Sequence, residues 1–110
     1  MTIENYQQIL IAQCQDTTGF ISRLYVENQF DNEQYNILVE ALAKYANAII
    51  EEDTMNRQVA GCLFFLEETL ANLAAQYNGQ NPLSEHGRKI QHAHAQIWEW
   101  VNQIFAVEMG

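Results

Sequence analysis

The stretch FDNEQYNILVEALAKYANAII, residues 30–50, decides the fold. Asp31 supplies an N-cap side chain and Gln34 follows at capping-box spacing, while Phe30 and Tyr35 hold the two positions of a hydrophobic staple, so a helix starts here. Behind that start, Tyr35, Leu38, Leu42, Tyr45, Ile49 and Ile50 recur at helical spacing and form one apolar stripe. Glu40 and Lys44 sit on the outer face in the favourable i, i+4 order. The pattern predicts a helix over residues 32–51.

Downstream, the stripe Met55, Val59, Cys62, Leu66, Leu70 and Tyr77 is rotated by about 120° from a straight continuation, counting about 100° per residue. One rigid helix cannot carry both stripes into one core, which places a break near Glu51–Thr54 with Asp53 as N-cap and a third helix over 54–77. Asn78-Gly79-Gln80-Asn81-Pro82 then reads as a loop, and Ser84 as the cap of a last helix over 84–107. Its inner face carries Ile90, Ala93, His94, Ile97, Val101 and Phe105. Upstream, Ile3, Tyr6, Leu10, Cys14 and Thr17 continue in phase into Ile21, Leu24 and Tyr25. That phase predicts one helix over 3–28 with Gly19 facing solvent, at a cost of about 1 kcal/mol against alanine. Four helices with short connections, in one domain over 1–110, predict an all-α, antiparallel up-down-up-down four-helix bundle. In such a bundle the first and third helices are expected to be diagonal, which keeps Cys14 and Cys62 apart as free buried thiols.

The chain has 110 residues and sets 14 Asp and Glu against 5 Lys and Arg, a formal charge of −9. Its few bases are scattered, which argues against binding nucleic acid or an anionic membrane surface. No apolar run approaches the roughly 20 residues needed to span a bilayer. The first residues carry no basic, signal-like region, and the chain reads as cytoplasmic. Phosphate loops, nucleophile elbows and paired-cysteine motifs are missing, so no cofactor or catalytic residue is assigned. The histidines His86, His92 and His94 have no spacing that lets two of them share a metal ion, and no metal site is expected.

Two surfaces remain once the core is assigned. An up-down bundle gathers Glu4, Glu51, Glu52, Asp53 and Glu108 at one end, a candidate docking surface for a basic protein partner. The third helix also carries a second ridge of Ala60, Phe64, Ala71 and Ala75, and Trp98 and Trp100 widen the apolar sector of the last helix. Phe64 with a tryptophan is therefore the candidate face of a homodimer. A third reading rests on Arg88 and His94. Their spacing resembles the Arg-x(4–6)-His pattern of helical-bundle ribonucleases of the HEPN type, which implies phosphodiester cleavage by that pair. In size, charge and helicity the chain is similar to the small acidic immunity proteins of bacterial toxins. The leading expectation is a non-enzymatic interaction protein of the immunity, antitoxin or inhibitor type that docks a basic partner; a structural or regulatory homodimer and the ribonuclease are the alternatives.

Overall fold

The computed structural model describes residues 2–52 and 55–109, with side chains described up to residue 106. Among the described residues five α-helices follow one another: α1 (Ile3–Gln15), α2 (Phe20–Glu27), α3 (Asn32–Ala48), α4 (Arg57–Ala75) and α5 (Glu85–Met109). A 3-10 turn, Ile49–Glu51, prolongs α3. With α1 and α2 as one bent arm, the helices form an all-α four-helix bundle. The molecule is 18 Å across its thinnest axis, which matches two helical layers at about 8–10 Å spacing. Among the described residues no helix is long and apolar enough to cross a membrane.

Contacts along the arms give their directions. Gln13 meets Gln34 and Tyr6 lies beside Lys44, so α1 and α3 are antiparallel; Phe64 stacks on Phe105 and Tyr77 meets His86, so α4 and α5 are too. Between the hairpins the neighbours are parallel, with Cys14 against Cys62 and Tyr35 donating its hydroxyl hydrogen to Gln96 Oε1. The arms alternate in direction, yet α1 packs on both α3 and α4, and α5 packs on both as well. The consecutive helices α3 and α4 thus lie across the core from each other. This overturns the expectation that the first and third arms are diagonal: the Cys14 thiol points at the Cys62 carbonyl oxygen, 3.5 Å away. A stripe determines which face of a helix is buried and carries no information on which neighbour covers it.

The first arm is also not the single helix expected over 3–28. Backbone helical geometry stops at Asp16 (ψ 144°) and resumes after Gly19 (ψ 164°). Gly19 is buried rather than facing solvent, and a Cβ there would lie 2.7 Å from the carbonyl oxygens of both Ala12 and Gln13. Gln13, only 5 % exposed, bridges the break. Its Oε1 accepts the Phe20 backbone N–H at 2.8 Å and its Nε2 donates to Gln34 Oε1 at 2.8 Å. An amide side chain therefore satisfies a helix-start donor that would otherwise be buried without a partner. Past the break Ile21 and Leu24 are buried as expected, but the buried face is shifted toward Phe20. Phe20 enters the core, with ring centroids 5.1 Å from Phe30 and 5.2 Å from Tyr35, while Tyr25, expected in the stripe, is 68 % exposed.

The other helix starts follow local chemistry. Asp31 Oδ1 accepts the Gln34 N–H at 3.0 Å, and the Phe30 and Tyr35 rings pack at 5.3 Å, as the staple requires. Gln34 does not complete the capping box, because its side chain is held by Gln13. Helix α4 starts at Arg57, later than expected, and its cap is Asn56, whose Oδ1 accepts the Val59 N–H at 3.1 Å; the expected cap, Asp53, lies outside the described residues. Ser84 caps α5 through Oγ, which accepts the Gly87 N–H at 3.0 Å. Gly79 takes φ +82° in the loop before it, a conformation that favours glycine. At the end of α3 the tighter 3-10 winding turns Ile50 out of the stripe, and it is exposed.

Candidate functional site

Charge was expected at one end of the bundle. Glu4 in the first turn of α1, Glu51 in the 3-10 turn and Glu52 are all exposed at the end where α1 and α4 begin. Among the described residues none of the three forms an ion pair. Asp53, and the side chain of Glu108, lie outside the described residues. Arg57, the first residue of α4, shares this end and offsets part of its charge.

The opposite end holds Arg23, Arg88 and Lys89, and carboxylates as well. Arg23 binds Asp31 at 2.9 Å, Arg88 binds Glu85 at 3.0 Å, and the Lys89 ammonium sits 5.8 Å above the Phe30 ring. Acid is thus distributed over both ends. Among the described residues Glu27 and Glu33 at this opposite end are also exposed and in no ion pair, so the two ends differ in having the Arg23–Asp31 and Arg88–Glu85 pairs at one and none at the other.

The second surface is the outer side of α4 and α5. Phe64 is 61 % exposed, Phe65 50 % and Trp98 52 %. The Phe64 ring stacks on Phe105 at 4.7 Å with 25° between the planes. With Glu67, Trp98, Val101 and Asn102 this pair lines a shallow groove of about 280 Å³ along the α4–α5 seam. Trp100 does not join them. Two residues on in a helix means about 200° of rotation, and Trp100 packs partly buried against the core.

Two aromatic members of this surface were not singled out from the sequence. Phe105 was assigned to the inner stripe, but its position at the seam leaves one ring face to Phe64. Phe65 had a readable signal: adjacent helical residues diverge by about 100°, so Phe64 and Phe65 cannot both share the stripe that buries Leu66. Phe65 borders a second groove, of about 530 Å³, with Tyr25, Thr69, Asn72 and Leu73 between α2 and α4.

The remaining polar candidates are individually engaged. His94 sits at the rim of the core, with Nε2 3.2 Å from Glu67 Oε1, and is half-buried rather than sealed inside the bundle. Arg88 is turned to Glu85, so its guanidinium and the His94 ring are held on separate carboxylates. His86 Nε2 meets Asn28 Oδ1 at 2.9 Å. Among the described residues no three His, Cys, Asp or Glu side chains group as metal ligands would. Burial pushes the Cys14 thiol far above the ordinary thiol range, which disfavours the thiolate needed for nucleophilic chemistry. Burial also raises the Tyr35 hydroxyl, from 10.0 to about 12. Comparison with protein-family models, with curated proteins and with solved structures finds no match for this chain.

Proposed function

We propose that the protein is non-enzymatic and works by docking another protein through the outer face of α4 and α5. The observation that supports this reading is the exposure of Phe64 and Trp98, which line one groove with Phe105, with Phe65 exposed on the other flank of α4. Large aromatic side chains characterise the energetic centres of protein interfaces, where they bury area with little loss of conformational entropy. Replacing Phe64 by aspartate tests it. The variant is expected to keep its helical circular dichroism while losing both self-association and capture of any partner from the source cell; unchanged association of every kind refutes the reading.

A second reading is supported by the acids at the bundle end. Glu4, Glu51 and Glu52 are exposed and outside any described ion pair, a field suited to a basic partner of the kind met by immunity, antitoxin or inhibitor proteins. Such docking weakens as salt screens the charges. A partner retained equally at low and high salt, or by the Glu4→Gln, Glu51→Gln, Glu52→Gln triple variant, rules this reading out.

A further inference from the structure

We infer that the outer face of α4 is a symmetric seam for a second copy of this chain, in an antiparallel register that opposes Arg57 to Glu68 and Gly61 to Phe64. Arg57, Gly61, Phe64 and Glu68 are all exposed and follow one another at spacings of four, three and four residues. Counted at about 100° per residue, they fall within about 60° of one another at the centre of the outward face. That spacing is the seam pattern of paired helices.

The pattern is complementary to itself. A closed dimer brings the same patch of both copies together, so residue i of one meets j of the other while j meets i. Laid antiparallel about the midpoint between Gly61 and Phe64, the seam places the Phe64 ring of one copy on Gly61 of the other. The same register places the Arg57 guanidinium of each copy opposite the Glu68 carboxylate of the other. Phe65 on one flank and Trp98 on the other lie beside the crossing.

Two further observations favour a second copy as the occupant. The first is Gly61. A Cβ built on it meets nothing within 4 Å, so nothing inside the bundle needs a glycine there, although glycine weakens a helix interior. A ring seated against the backbone from outside does need it. The second is charge. Among the described residues neither Arg57 nor Glu68 belongs to an ion pair, and they are about 16 Å apart along their own helix, too far to meet within one chain. A second copy supplies each with its opposite.

The inference rests on the reading of this face as a docking surface and names its partner. Sedimentation equilibrium at fixed ionic strength tests it. Wild type is expected to dimerise, and Arg57→Glu or Glu68→Arg alone to weaken the dimer about tenfold, since each places two like-charged pairs in the seam. An equal mixture of the two single variants is expected to recover wild-type affinity, because the mixed dimer regains both opposite-charge pairs. Within one chain no change produces that rescue. Monomeric wild type at every loading, single variants that dimerise like wild type, or weakened variants that fail to recover on mixing each overturn the proposal. Monomeric wild type that still captures a different protein in a Phe64-dependent manner overturns the second copy and leaves the docking surface standing.

Discussion

Gly19→Ala and Gly61→Ala are expected to change stability in opposite directions, although both replace a glycine by the best helix former. At Gly19 the added Cβ lies 2.7 Å from two carbonyl oxygens, well inside ordinary van der Waals contact of about 3.5 Å. Both oxygens belong to backbone at the end of α1, so relief requires α1 and α2 to separate, and overpacking of this kind costs about 1–3 kcal/mol. The backbone at Gly19 has a negative φ of −72°, so alanine adopts it without strain and recovers up to about 1 kcal/mol of unfolded-state entropy. Taking the middle of the steric range against that gain leaves a loss of about 1 kcal/mol, or a fall in Tm of about 4–8 °C for a domain of this size. At Gly61 the Cβ enters open space, and the same substitution gains about 1 kcal/mol. Thermal unfolding followed by circular dichroism, in dilute solution where self-association does not contribute, measures both. A Gly19→Ala protein as stable as wild type, or more stable, refutes the steric argument and restores a continuous first helix, on which alanine at position 19 stabilises.

Three further outcomes follow from the same contacts. Gln13→Leu removes the acceptor of the Phe20 N–H and the donor to Gln34; urea denaturation is expected to show a loss of about 1–3 kcal/mol, the cost of leaving a buried donor unmet. Asp31→Ala deletes both the cap of α3 and the partner of Arg23, and a loss of about 1–2 kcal/mol is expected, most of it from the cap since the ion pair is partly solvated. The Tyr35 hydroxyl titrates at about 12 in the folded protein against an ordinary 10.0. Between those values the unfolded state has released a proton that the folded state retains, so the Tyr35 contribution is intact below pH 10.0 and is lost as pH rises toward about 12. Denaturation midpoints are expected to fall through this window and to fall less in Tyr35→Phe.

The parts of the fold that were legible in the sequence share one property: each signal and its partner lie within a few residues. Asp31 capping Gln34, Phe30 packing on Tyr35, and Ser84 capping α5 are contacts across three to five positions, and all three are present. The stripes that bury Leu38, Leu66 and Ile97 are equally local, since helical geometry alone decides which side each residue faces. What was not legible depends on residues far apart in the chain. The break at Asp16–Gly19 is stabilised by Gln13 reaching to Gln34, 21 positions away, and no periodicity records a polar residue that is buried because it bridges two helices. The packing of α1 on α4 brings Cys14 to Cys62 over 48 positions. The same distinction applies to the candidate site. Phe64 and Trp98 were readable as apolar residues left over from their stripes, whereas the pairing of Phe64 with Phe105 required the offset between α4 and α5. A residue left over from its own stripe is a local fact, and whether several such residues make one surface is decided only when their helices are placed side by side. Trp98 and Trp100 illustrate the difference: two positions apart in sequence, one is exposed near the Phe64 groove and the other packs on the core.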